Sequence, residues 1–199
     1  SPLYVALWSL VLLRVRLTAG QAFGVILSTI GVFVIVLRGD LTALAEIELN
    51  KGDIIYVVAF CIFGFYSTLM VKRPAVHTLS FLAFTFGCGA LGLVPFVIWE
   101  IASGRLMAIN TATLLSCLYV VTLPSTVAYL FFDRGIQLIG ANRAAPFMHL
   151  IPVFGSVMAI GLLGESMHLY HLIGYTMVLT GIFVAARGPI RKPPPVTPA

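Results

Sequence analysis

Charge is scarce in this sequence. Of its 199 residues only 10% are Asp, Glu, Lys or Arg, against about 25% in a soluble domain. So few charges cannot cover the surface of a water-soluble globule, which excludes a soluble enzyme, a nucleic-acid binder and a disordered chain together. Cysteine is scarcer still. Cys61, Cys88 and Cys117 stand singly inside apolar runs, which speaks against a disulfide framework, and no His or Cys spacing suits a metal ion. No Gly-x-Ser-Gly, paired carboxylate or Ser/His/Asp set lies in the apolar runs, so an intramembrane enzyme is not expected and no cofactor is called for.

What the chain has in abundance is apolar length: 60% of its residues are hydrophobic. Seven segments without an internal charge stand out, at 2–13, 20–37, 54–71, 78–99, 112–132, 144–163 and 167–186. A membrane-crossing helix needs about 20 apolar residues. Six segments come near or reach that length, and none shows the polar/apolar alternation of a transmembrane strand. The pattern predicts an all-α polytopic membrane protein with seven helical segments. The first segment is too short to cross, so it is either re-entrant or begins upstream of Ser1; the repeat described below favours the second.

Basic residues divide unevenly between alternate loops. Arg14, Arg16, Lys72, Arg73, Arg134, Arg143, Arg187, Arg191 and Lys192 fall on one side, and Arg38, Lys51 and Arg105 on the other. Acidic residues divide the opposite way, with Asp133 alone on the basic side. The positive-inside rule then puts the 14–19 turn and the C-terminus in the cytoplasm and the 38–53 loop outside. The proline-rich tail, 188–199, is expected to be a disordered cytoplasmic extension.

The two ends of the chain match each other at an offset of 150. Pro2 meets Pro152, Leu12-Leu13 meets Leu162-Leu163, Gly24 meets Gly174, Gly31 meets Gly181, and Phe33-Val34 meets Phe183-Val184. Composition bias produces matched leucines; it does not readily produce a proline and two glycines in register. Residues 1–37 thus read as the last two helices of one repeat and 54–187 as a complete second repeat of five helices, with 38–53 as the loop between them. Three helices are expected upstream of Ser1, giving five plus five. Five is odd, so the copies are inverted, which is a transporter architecture with its site between the halves.

The stretch GANRAAPFMHLIPVFGSVMAIGLLGESMHLYHLIGYTMVLTGIFVAAR, ending at Arg187, resembles the closing helix pair of EamA-type transporters of the drug/metabolite transporter superfamily. The matching features are Pro152, Leu163-Gly164-Glu165, Gly174 and Gly181. KGDIIYVVAFCIFGFYSTLMVKR resembles the family's opening helix through Gly52-Asp53, Tyr66 and Lys72-Arg73, with Phe63-Gly64 where Trp-Ala is usual. Leu17-Thr18, Gln21 and Gly24 match the first-half pattern, whose usual Glu is Val15 here. The resemblance implies ten helices in a bacterial inner membrane and movement of small metabolites or drug-like solutes by alternating access, commonly export. Implied partners are a small-molecule substrate and the lipid bilayer, with room for a homodimer.

Several residues are candidates for the solute pathway. Ala145, His149, Pro152, Ser156 and Ala159 recur at spacings of 4, 3, 4 and 3, one face of a regular helix. Lining a pathway and packing against a neighbouring helix both fit this stripe. Phe63, Tyr66 and Ser67, with Trp8, suggest an aromatic wall or plain packing. Pro124 breaks the helical hydrogen-bond ladder and frees the carbonyl of Val120, which Ser125, Thr126 or water could satisfy. Glu165 reads as a proton site, a helix cap or a solvated turn carboxylate. Gly20, Gly24, Gly31, Gly174 and Gly181 read as helix-contact grooves, and Gly87, Gly89 and Gly92 the same way. A seven-helix receptor or sensor is the alternative to a transporter. A retinal protein would need a lysine in the last segment, and there is none. No carboxylate falls inside the seven segments, which leaves His149, Glu165 or upstream helices to couple transport to protons.

Overall fold

The computed structural model describes residues 1–40, 42, 50–74, 76–104 and 108–187. Half of the 38–53 loop and the tail from 188 lie outside the described residues, as do Arg105, Arg191 and Lys192. All regular structure among the described residues is helical. The helices are α1 (Pro2–Leu13), α2 (Ala19–Val36), α3 (Lys51–Leu69), α4 (Thr78–Ala102), α5 (Thr111–Val120), α6 (Ala128–Ile139), the single turn α7 (Ala141–Ala144), α8 (Leu150–Leu163) and α9 (Leu169–Ala186). Seven-residue π winding, Val121–Val127, joins α5 to α6, and a 3-10 stretch, Ala145–His149, joins α7 to α8.

Six of the resulting helical stretches are long and apolar enough to cross a membrane; Pro2–Leu13 is shorter. Leu91, Phe84, Leu114, Leu162 and many other large apolar side chains point outward. A surface of that kind is stable in hydrocarbon and not in water. The protein is therefore an all-α polytopic membrane protein.

Helix ends follow from side chains just beyond the apolar runs. Thr18 and Gln21 form a reciprocal capping box at α2, with Gln21 N–H donating to Thr18 Oγ1 at 3.2 Å and Thr18 N–H to Gln21 Oε1 at 3.0 Å. Asn50 and Asp53 do the same at α3. That cap starts α3 at Lys51, three residues before the apolar segment begins, because the cap must lie where polar atoms are tolerated. His77 Nδ1 accepts from Leu79 N–H at the start of α4, and Asn110 Oδ1 from Thr113 N–H at α5.

Two helices depart from the apolar segments that predicted them. The fifth continues without a break to Ile139, so Asp133 is helical and fully buried rather than in a loop. Apolar length marks the hydrocarbon-facing stretch, and the helix outlasts it, so Asp133 is helical while still lying outside the apolar segment 112–132. At Pro124 the helix widens into π winding, and Thr126 Oγ1 donates to the carbonyl of Val121, at 2.8 Å, not Val120. The sixth begins at Ala141, and Pro152 and Pro146 leave its 145–149 stretch wound as a 3-10 helix. At three residues per turn, a spacing of four turns Ala145 away from His149, so the single face expected from Ala145 onward does not hold there.

The chain forms two compact units, 1–72 with 135–199, and 73–134. In the smaller unit Phe86 packs edge-on to Tyr129, with centroids 5.6 Å apart, and Leu82 is buried. Arg73 lies over the Phe81 ring and donates to Thr78 Oγ1 at 3.1 Å. In the larger unit α1 packs on α3 and α2 packs on α9.

The two halves of the larger unit repeat each other's geometry at the offset of 150. Helices α2 and α9 are both 18 residues long, starting at Ala19 and Leu169. Helices α1 and α8 stop at Leu13 and Leu163, each followed by a left-handed residue, Arg14 (φ 54) and Gly164 (φ 70). The next amides, of Val15 and Glu165, return to the carbonyls of Ser9 and Ala159 at 3.1 and 3.4 Å, the same bond at both ends.

The α2–α9 contact is made of glycines, and each contact has an image. A Cβ on Gly181 would lie 2.6 Å from Gly24 O, and one on Gly31 would lie 2.9 Å from Gly174 O. Gly181 abuts Ser28 as Gly31 abuts Val178, and Gly24 abuts Ala185 as Gly174 abuts Ile35. Gly24 pairs with Gly181 and Gly31 with Gly174, so the helices run antiparallel. The interface is isologous, as between the subunits of a twofold dimer, but within one chain. By contrast, among the described residues nothing lies within 4 Å of a Cβ at Gly20, Gly87, Gly89 or Gly92. They stand on faces that no described neighbour approaches.

Candidate functional site

Polar groups inside the larger unit gather where α8 meets α2 and α9. Apolar packing frames them: Ile35, Val153, Val178 and Ile182 form a buried cluster, with Val32, Leu150 and Tyr175 against it. His149, at the end of the 3-10 stretch, reaches across to α2, where its Nδ1 lies 2.8 Å from Ser28 Oγ. Ser28 is fully buried, and its Oγ also lies 3.0 Å from Val25 O. Which of the two donates follows the imidazole tautomer, and in the neutral ring Nε2 takes the role that Nδ1 does not. The ring is half-buried.

Two turns further along α8, Ser156 Oγ donates to Pro152 O at 2.7 Å and accepts from Tyr175 OH of α9 at 2.9 Å. His149, Pro152 and Ser156 are thus brought together with Ser28 and Tyr175, two partners the sequence reading did not single out. Ser28 was readable, since it falls between Gly24 and Gly31 on the same face of α2 at helical spacing. Tyr175 follows a contact glycine, Gly174, and gave no comparable signal.

Of the aromatic candidates, Trp8 falls on the α1–α3 contact. Trp8 Nε1–H donates to Cys61 O at 3.0 Å, and its ring meets Phe65 edge-on at 5.1 Å. Phe63 and Tyr66 have centroids 6.4 Å apart, and Ser67, fully buried, donates to Phe63 O at 2.8 Å. Ser125 and Thr126 sit in the π winding of the smaller unit, where Thr126 is spent on the backbone. Glu165 is exposed just after α8. The cap of α9 is made instead by His168 and His171: His168 N–H donates to His171 Nδ1 at 3.1 Å. Histidine is not the usual residue at either position, which hid the cap in the sequence.

Chemically, this arrangement offers an imidazole and the hydroxyls of Ser28, Ser156 and Tyr175 set in apolar walls. That suits holding a small solute with a few polar groups. Among the described residues no group of three or more His, Cys, Asp or Glu is placed to hold a metal ion.

Comparison with known proteins bears on this geometry. Residues 50–187 match the EamA-like transporter family. Among curated proteins, the uncharacterized transporter YyaM of Bacillus subtilis (strain 168) is 24% identical over 97% of this chain and 63% of its own length. The uncharacterized inner membrane transporter YicL of Salmonella typhimurium (strain LT2) is 24% identical over 92% of this chain and 60% of its own. A second protein of that organism, named "Probable amino-acid metabolite efflux pump", is 25% identical over 87% of this chain and 60% of its own. The chain thus spans about three fifths of the length of these relatives. No solved structure matches.

Proposed function

The chain belongs to the EamA-like transporter family, and we propose that it forms part of a carrier that moves small metabolites or drug-like solutes across the bacterial inner membrane by alternating access. The chain would supply the last two helices of one repeat, 1–37, and the five helices of the other, 54–187. The observation that carries this reading is the antiparallel, self-imaged α2–α9 contact through Gly24, Gly31, Gly174 and Gly181. Two copies of one fold, inserted in opposite senses, can exchange conformations and so open a shared site to either side in turn.

The solute would sit against the His149–Ser28 and Ser156–Tyr175 pairs, with Pro152 between them and the apolar cluster as wall. Phe63, Tyr66, Ser67 and Trp8 would line a further stretch. A cytoplasmic C-terminus fits the positive-inside bias, and export fits the name of the Salmonella efflux pump. Amino-acid metabolites, named for that relative, are the first solutes to try.

The test is uptake of radiolabelled amino acids and their metabolites into inside-out vesicles from cells carrying the longest gene product that contains this chain, against cells lacking it. Accumulation of at least one solute that is lost in a His149→Ala variant of equal abundance supports the reading. No solute-dependent difference over a broad panel overturns it.

A further inference from the structure

Helices α2 and α9 begin with one device built from different residues. At α2 the pair is Thr18 and Gln21; at the offset of 150 it is His168 and His171. Gln21 and His171 are each 5% exposed. In both pairs the second side chain accepts the N–H of the cap residue. Thr18 N–H donates to Gln21 Oε1 at 3.0 Å, and His168 N–H to His171 Nδ1 at 3.1 Å. An amide oxygen accepts whatever the pH of the medium. An imidazole nitrogen accepts only while it carries no proton.

Their partners fix the two imidazoles in opposite states. His171 Nδ1 faces a backbone N–H, so it is unprotonated, and the neutral ring carries its proton on Nε2. His168 Nδ1 lies 2.7 Å from Ser166 O, which can only accept, so that nitrogen bears the proton. A second proton therefore goes to Nε2 in His168, which keeps its bond, and to Nδ1 in His171, which loses it. In His171 it sets two donors against each other inside a buried cap and adds positive charge at the positive end of the helix. Among the described residues, the turn after α2 brings Arg38 and Asp40 to this end of α9, with Gly39 against Tyr170, and Asp40 accepts from Thr42 Oγ1 at 2.6 Å. The turn after α8 brings Glu165. On α9 itself the Tyr170 and Tyr175 rings lie 4.2 and 5.9 Å from that of His171. Arg143 and His149 stand on α7 and the 3-10 stretch, which also pack on α9, but His149 lies level with Ser28, whose neighbour on α9 is Gly181. Carboxylates, tyrosines and arginines ordinarily hold one charge state from about pH 5 to 8, where imidazole changes its own.

We propose that the His168–His171 box is a pH-operated latch: it holds the first turn of α9 against the end of α2 while His171 is neutral, and releases that turn when His171 Nδ1 takes a proton. The stabilisation is present at the higher pH and is lost as pH falls through the protonation of His171. The Thr18–Gln21 box, its image, has no titratable group and stays closed throughout, so the device acts at one end of the α2–α9 seam only. With the orientation expected from the charge bias, the latch faces the outer side of the membrane. The inference rests on hydrogen-bond geometry and not on transport itself.

The test is hydrogen–deuterium exchange of the longest gene product that contains this chain, in nanodiscs, at about pH 8 and about pH 5, the two ends of the imidazole range. Exchange is expressed as protection, with the intrinsic pH dependence of amide exchange divided out. Protection over 168–175 should fall several-fold at the lower pH, while protection over 18–25, the internal control, is alike at both. His171→Gln copies Gln21, and His168→Thr with His171→Gln copies the whole box of α2. A fall in the parent beside pH-independent protection of 168–175 in at least one of these variants supports the proposal. Equal protection in the parent at the two pH values overturns it. So does the absence of a pH-independent, protected turn from both variants, because an amide at 171 would then fail to do what Gln21 does. Protection is read without any solute, so failure here is distinct from failure to find a transported one.

Discussion

The imidazole of His149 and the hydroxyl of Ser28 meet at 2.8 Å across 121 positions of sequence. The bond joins α2, in the first copy of the repeated helix pair, to the entry of α8 in the second. Hydrogen bonds between membrane helices contribute modestly, about 0.6 kcal/mol on average with a maximum near 1.7. A double-mutant cycle of His149→Ala and Ser28→Ala, followed by unfolding in mixed micelles, should return a coupling energy in that range. A coupling indistinguishable from zero would show that the two side chains do not interact.

The glycine contact makes a sharper prediction. Alanine favours a helix over glycine by about 1 kcal/mol. At Gly24, however, a methyl group would run into the backbone of Gly181 and Ala185. Overpacking of this kind costs about 1–3 kcal/mol. Gly24→Ala and Gly181→Ala should each lower the melting temperature in detergent, and Gly20→Ala, in open space, should leave it unchanged or raise it. Equal behaviour of Gly20→Ala and Gly24→Ala would exclude close packing of α2 on α9.

Arg14 and Gly164 occupy the same left-handed position after α1 and α8. A side chain there costs about 1–2 kcal/mol, which glycine avoids. Gly164→Ala should therefore destabilise by about 1 kcal/mol, and Arg14→Gly should stabilise by up to about the same amount. Chemical denaturation of the two variants beside the parent checks both signs.

Pro124 sets the π winding at Val121–Val127. Pro124→Ala restores a backbone donor and removes the ring, so the segment should relax toward ordinary α winding. Hydrogen–deuterium exchange of peptides covering this segment should slow. Unchanged exchange would mean that the widening has another cause, with Thr126 Oγ1 on Val121 O the first to examine.

How far the sequence could be read varies from residue to residue. Helix α1 has the limits of its apolar run, and the glycines of α2 and α9 meet as their spacing suggested, because apolar length and small-residue periodicity act locally. The extension to Ile139 and the burial of Asp133 were not readable: a helix continues past the hydrocarbon as long as its backbone bonds are met, and no apolar run marks that part. The 3-10 winding before His149 was missed because a helical wheel assumes constant pitch. Partner choice was the hardest. His149 stood out as a polar residue in an apolar run, but Ser28 as its partner depends on how two distant helices cross.

The seam between α2 and α9 also has one place where its mirror fails. Ser28 and Val178 are equivalents, yet one carries a hydroxyl bonded to an imidazole and the other only methyl groups. Anything straddling that seam meets a hydrogen-bonding neighbour on one flank and a greasy one on the other. A seam that is twofold in shape is thereby uneven in energy, because exchanging its two flanks would trade a hydrogen bond for a methyl contact.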